Sequence, residues 1–190
     1  AAIGGKDSMS GTFEHIDVPP TLISFALAPA KASKLITNVL EKKGTKLYWI
    51  PMHNDFSKIP DFRELADMYR EIHRNVESGN IRFATVVENG GIAAAVAKSC
   101  FGNMLGFRFE GDCDCLLSEH YGEILVSLEN PDELNAPKIY LGETTESGFV
   151  YDKESVSEKE AVEAFCGTLE KVFPNHAEAQ GRAKDADFDC

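Results

Sequence analysis

Residues 81–101 read Ile81-Arg-Phe-Ala-Thr-Val-Val87, Glu88-Asn89-Gly90-Gly91, then Ile92-Ala-Ala-Ala-Val-Ala-Lys-Ser-Cys-Phe101. Residues 81–87 are rich in β-branched and apolar side chains and predict a strand. The Gly pair then hands over to a segment that is apolar nearly all round. A helix of that composition has to be buried against a sheet. A strand, a glycine turn and a buried helix in immediate succession place a helix layer against a sheet.

Working outward, Ile59, Phe62, Leu65, Ala66, Tyr69, Ile72 and Val76 recur at helical spacing, with Pro60 suited to a first turn and Gly79 just beyond the end. This predicts an amphipathic helix ahead of the strand. Residues 46–50 have strand propensity and stop at Pro51. Residues 31–43 are basic and helix-like, with Gly44 as a plausible stop. Residues 21–28 read as a buried strand that follows the break at Pro19-Pro20. On the carboxyl side, residues 105–109, 122–129, 137–141 and 148–151 are short strand candidates, and the last three are expected to be neighbours in one sheet. Glu143-Thr-Thr-Glu-Ser147 fits a polar hairpin. Ser157-Glu-Lys-Glu160 has the form of a capping box and opens a final helix through Val162, Phe165, Leu169 and Val172, stopped at Pro174. Residues 175–190 read as a disordered tail or linker.

The whole chain has 190 residues, of which 43% are hydrophobic and 26% charged, enough for one sizeable core. Its net charge of -12 repels nucleic-acid phosphates and anionic membrane surfaces, so neither is an expected partner. No apolar run is long enough to span a bilayer. An anionic ligand must be held by a local device, such as backbone amides or one placed Lys. Five cysteines are an odd and sparse set, which favours a reducing compartment, the cytoplasm. The first residues, Ala1-Ala-Ile-Gly-Gly5, read as neither a signal peptide nor a natural start and fit a piece of something larger.

Two segments can carry chemistry. Gly4-Gly5-Lys6-Asp7-Ser8-Met9-Ser10-Gly11 combines glycines that let amides approach a phosphate with a cation, a carboxylate and hydroxyls. It lacks the P-loop order, and its composition also fits a surface turn. Glu88-Asn89-Gly90-Gly91 precedes the buried helix, whose amino-terminal amides and dipole suit an anion, with Glu88 as a possible Mg²⁺ ligand. Equally, the glycines permit close packing and Asn89 caps the helix. Cys113-Asp-Cys115 has no second pair to complete a zinc site. His15, His53, His73, His120 and His176 are scattered, and His120, flanked by acids, reads as an exposed loop histidine.

Taken in order, Gly4-Gly5-Lys6-Asp7-Ser8-Met9-Ser10, the strand 22–28, and Gly90-Gly91-Ile92 with its Ala-rich helix and Cys100-Phe101-Gly102 resemble phosphoribosylformylglycinamidine synthase in the second of its two synthetase-type repeats. The Gly-Lys-Asp-Ser-Met-Ser segment is characteristic of the long single-chain form. The Gly-Gly helix is shared with aminoimidazole ribonucleotide synthetase and its relatives. The resemblance implies that residues 1–30 are terminal strands of an ATP-binding-type domain and residues 31–174 an AIR-synthetase-like carboxy-terminal α+β domain, a mixed β-sheet flanked by helices.

It also implies an ATP- and glutamine-dependent ligase, converting formylglycinamide ribonucleotide to formylglycinamidine ribonucleotide, with ATP/ADP and Mg²⁺ as cofactors. The first synthetase repeat and a glutaminase domain would be partners, and the piece alone would not turn over. Gly5, Lys6, Asp7 and Ser8 would meet nucleotide and substrate, with Lys6 neutralising charge where shorter relatives carry a metal-ligating Asn. An auxiliary nucleotide is implied at Glu88, Asn89, Gly90 and Gly91. There the family's His-Asp-x-Ser-Asp-Gly-Gly is replaced by Thr85-Val-Val-Glu-Asn-Gly-Gly91, so Val86 stands in place of a metal-binding Asp. The alternative is a non-catalytic nucleotide-binding or scaffolding module supporting the other synthetase half and the glutaminase domain. A free edge near residues 22–28 would let the piece dimerise.

Overall fold

The computed structural model describes residues 2–8, 11–52, 61–111 and 115–171, with backbone alone at residues 2, 3, 6–8 and 13. The chain forms two compact units, Ala1–Leu35 and Ile36–Cys190. Pro60, Cys113, His53, His176, Val172, Pro174 and the expected tail lie outside the described residues.

In the first unit, β1 (Ala2–Ser8) pairs antiparallel with β4 (Thr21–Ala26), setting Gly5 opposite Ser24, Lys6 opposite Ile23 and Ser8 opposite Thr21. Between them, β2 (Gly11–Phe13) and β3 (Ile16–Val18) make a small antiparallel pair. The strand expected at residues 21–28 is present, but not buried: all six residues of β4 are exposed, Leu22 at 80%. A two-stranded ribbon has two faces and supplies no layer of its own to cover either.

The second unit is built on a seven-stranded mixed sheet: β5 (Lys46–Ile50), β6 (Ile81–Val86), β7 (Gly106–Phe109), β8 (Ile124–Leu128), β9 (Ile139–Thr145), β10 (Phe149–Tyr151) and β11 (Glu154–Val156), in spatial order β11-β10-β7-β9-β5-β8-β6. The β10/β7 pair is parallel and the others are antiparallel. The expectation of an α+β chain with a mixed sheet holds. Strand adjacency differs from expectation: β7 lies between β9 and β10, and β5 between β8 and β9, so Glu143, Thr144 and Thr145 end a long strand and form no hairpin with β10. β10 follows β9 after three residues and runs antiparallel to it, but β7 is inserted between the two, antiparallel to β9 and parallel to β10.

Alternation along the central strands assigns the helices to layers. Leu47 and Trp49 of β5 pack in one apolar cluster with Ile92, Ala95, Val96 and Cys100 of α2 (Gly91–Phe101). The intervening Tyr48 and Ile50 join Met68 and Ile72 of α1 (Phe62–Ser78) in the other. Successive side chains of a strand point to opposite faces, so α1 and α2 cover opposite faces of the sheet. Asp61 caps α1, its carboxylate accepting from the amides of Arg63 at 2.8 Å and Glu64 at 3.2 Å, and Gly79 closes it. In α2, burial pushes the Cys100 thiol up to about 12, so it acts as a packing group rather than a nucleophile. The final helix, α3 (Glu158–Gly167), opens on the expected capping box of Ser157 and Glu160 and ends before Leu169. Among the described residues no helix is long and apolar enough to cross a membrane.

The helix expected over residues 31–43 is absent. A single turn of 3₁₀-helix, Ala32–Lys34, is followed by extended chain whose Thr37 bridges Phe83 on the edge of β6 and whose Leu40 amide donates to Ser99. Helix propensity from the lysines lost to an open strand edge and to burial of Leu40, which is 1% exposed.

A buried polar chain pins α1 to the turn after β8. Glu71 accepts from the Asn135 amide at 3.0 Å and from Asn75 at 3.2 Å. Asn75 accepts from Asn80 at 2.7 Å, and Asn80 in turn accepts from the Asn130 amide at 2.7 Å. Asn80→Ala strands that amide and the Asn75 carbonyl oxygen, so unfolding in urea should show a loss of about 1–3 kcal/mol.

Candidate functional site

The residues singled out in the sequence fall in two separate places, one in each unit. Gly5, Lys6, Asp7 and Ser8 lie consecutively on β1, in register with β4. They are strand residues, not a turn. A Cβ at Gly5 would stand 3.0 Å from the Ile23 carbonyl oxygen, so the glycine permits a close approach of the two backbones.

Glu88, Asn89, Gly90 and Gly91 lie where β6 passes into α2, as expected, but the amides there are largely engaged. The Gly91 amide donates to the Glu88 carbonyl at 2.9 Å and the Ala93 amide to the Leu116 carbonyl at 3.0 Å. Residues 115–118 press onto the helix start: a Cβ on Gly91, at φ +69, would sit 2.5 Å from the Leu116 oxygen and 2.6 Å from that of Ser118. The second glycine is needed for this contact with a loop, not for packing against the sheet. Asn89 does not cap α2. The N-cap is Gly90, and the Asn89 side-chain oxygen accepts from the Tyr121 hydroxyl at 2.7 Å. Partial loss of water and the carboxylates of Glu119 and Glu88 hold the Tyr121 phenol above its usual range, which places two negative charges at this lip.

An open cleft of about 300 Å³ runs from this lip along the flank of α2, lined by Asn38, Thr85, Val86, Glu88, Asn89 and Lys98 among others. Val86 is half exposed, at 51%, and offers no donor atom to a metal. Among the described residues no cluster of three His, Cys, Asp or Glu is placed to hold a metal ion. With a valine where the resemblance implies a metal ligand, two carboxylates beside Tyr121 at this lip and the Ala93 amide answered by a loop, these residues do not fit Mg²⁺ and ADP as arranged.

Sequence reading missed a buried polar centre in this unit. Glu123, only 2% exposed, accepts from the Trp49 indole N–H at 2.6 Å and the Met52 amide at 3.0 Å, and meets His120 Nδ1 at 3.1 Å. The His120 ring packs edge-on against Trp49, 5.0 Å between centroids, and its Nε2 lies 3.3 Å from the Cys115 carbonyl oxygen. His120 is thus a partly buried, fully engaged group rather than the exposed loop histidine expected. The acids flanking it were the available signal. Trp49, 74 residues from Glu123, was not.

The seven-stranded mixed sheet with a helix on each face defines an α+β domain. It is similar to solved structures of phosphoribosylformylglycinamidine synthase II (PurL) from Thermotoga maritima. One of these matches at a TM-score of 0.54 and 14% identity over 74% of this chain and 28% of that one. The ADP complex gives 0.55 and 14% with the same coverage, and the complex with FGAR gives 0.54 and 13% over 74% of this chain and 30% of that one. At such identity the likeness is one of fold, and the chain spans under a third of the length of the solved chains it matches. No protein-family description and no curated sequence matches it.

Proposed function

We propose that the chain is a portion of an ATP- and glutamine-dependent amidoligase of the formylglycinamidine ribonucleotide synthase type, contributing a supporting domain and one phosphate-contacting strand. The observation that carries this reading is the shared fold over 74% of the chain with synthases solved with ADP, ATP and FGAR. The Gly-Lys-Asp-Ser segment on β1 supports it. In this reading Gly5, Lys6, Asp7 and Ser8 meet the phosphorylated substrate or nucleotide where a first synthetase repeat faces them, Mg²⁺ being held elsewhere, and a glutaminase domain supplies ammonia. The ligase would work in the cytoplasm, and the present chain alone would release no ADP. In the complete ligase, Lys6→Ala removes one charge-assisted contact worth about 1.5–3 kcal/mol, so kcat/KM should fall roughly 10- to 100-fold. Unchanged kinetics in both Lys6→Ala and Ser8→Ala would remove the assignment.

A second reading, a scaffold that binds no nucleotide of its own, is favoured by Val86 and by the Leu116 carbonyl on the Ala93 amide. Calorimetry of the chain with ADP and Mg²⁺ separates the two. The geometry at Glu88, Asn89, Gly90 and Gly91 predicts no measurable heat. Micromolar binding there would restore the auxiliary site and discard the scaffold.

A further inference from the structure

Residues 115–123 form a continuous strap over the amino end of α2, fastened at several points. Leu116 answers the Ala93 amide, Tyr121 reaches Asn89, and the Gly122 carbonyl accepts from the Tyr69 hydroxyl at 2.8 Å. The innermost fastening is His120, whose side chain is 16% exposed. Each of its ring nitrogens faces an acceptor: Nδ1 the Glu123 carboxylate, Nε2 the Cys115 carbonyl. A neutral imidazole has one N–H and one lone pair, so either tautomer sets a lone pair against an oxygen. Only the doubly protonated ring donates to both. The titratable groups near the ring are Glu123 and, along the strap itself, Cys115, Glu119 and Tyr121. The face that β5 turns to it is Trp49, which does not titrate.

We propose that residues 115–123 are a proton-held strap: the His120 imidazolium ties both ends of the loop, through Glu123 and the Cys115 carbonyl, and loss of one ring proton to solvent releases the strap and uncovers the amino end of α2. The proton that leaves is the one on Nε2, because the carboxylate retains the other. The lone pair then faces the Cys115 oxygen, one residue from the Leu116 carbonyl that covers Ala93. A rise in pH therefore opens the strap, and acid closes it.

The test uses the whole chain without nucleotide, so it is independent of the ligase reading. Imidazole ¹⁵N–¹H spectra follow the protonation of His120 between about pH 5 and pH 9, and hydrogen exchange follows the Ala93 amide, corrected for intrinsic rate. Expected is a fall of about tenfold or more in Ala93 protection, with the same midpoint as the loss of the ring proton. His120→Gln, with a single donor group and no titration, should lose that pH dependence. A neutral His120 ring beside a fully protected Ala93 amide would overturn the proposal, and so would an unchanged pH dependence in His120→Gln. Should that variant not fold, the wild-type spectra decide alone.

Discussion

Glu123→Ala is expected to destabilise the second unit by about 3–5 kcal/mol, the range for breaking a buried pair from one side. Three groups lose their acceptor at once: the Trp49 indole N–H, the Met52 amide and His120 Nδ1. Trp49 is 8% exposed, so water cannot readily replace the carboxylate. The penalty for buried donors without acceptors, about 1–3 kcal/mol each, exceeds what the pair itself contributes. Domains of this size are stable by only about 5–15 kcal/mol, so the variant should sit near its unfolding midpoint in mild urea. The chain has one tryptophan, and that residue touches the mutated site, so its fluorescence reports the change directly, with circular dichroism as the global control. Glu123→Gln keeps one acceptor oxygen, enough for either the Trp49 indole or the Met52 amide but not both, because these donate to different carboxylate oxygens, and should lose less than Glu123→Ala. A Glu123→Ala loss below about 1 kcal/mol would mean that the centre is hydrated and contributes little.

The sequence revealed this unit's elements more readily than its connections. The 3.6-residue spacing of Leu65, Tyr69, Ile72 and Val76 and the all-round apolar segment after Gly91 report which faces are buried, and both helices formed as read. Periodicity does not report which strand lies beside which. The insertion of β7 between β9 and β10 depends on pairing of residues more than 30 positions apart, for which a local pattern carries no information. Residues 31–43 failed for a related reason: lysine-rich sequence favours a helix only where no strand edge competes, and Thr37 found β6. At the amino end of α2 the two glycines were legible as a close-approach signal, but their partner, the backbone of residues 115–118, was not. Glu123 was hidden for the same reason, since a carboxylate's burial is set by what folds over it and not by its neighbours in the chain.

Gly142→Ala should be the most damaging single-methyl substitution in the sheet. Gly142 lies in β9, opposite Leu47 of β5 on one side and Phe109 of β7 on the other, at φ +132. An added Cβ would stand 1.9 Å from the Arg108 carbonyl oxygen, 3.0 Å from its carbon and 3.1 Å from the Phe109 Cα. These are backbone atoms of the adjoining strand, so no rotamer change relieves the overlap. The strands must part, or Gly142 must abandon a backbone conformation that side chains rarely adopt. Parting them separates β11-β10-β7 from β5-β8-β6, because β9 is the link between these halves, and it opens the pocket of Phe107, which is fully buried. Strain of this kind belongs with the exceptional substitutions costing more than about 4–5 kcal/mol, so little folded protein is expected. Gly167→Ala is the matching control: it adds the same methyl at the end of α3, where a Cβ meets nothing within 4 Å, and should change the melting midpoint little. If Gly142→Ala melted with Gly167→Ala and the wild type, β9 could not lie against β7 in this register, and the strand order on which both faces of the domain depend would have to be redrawn.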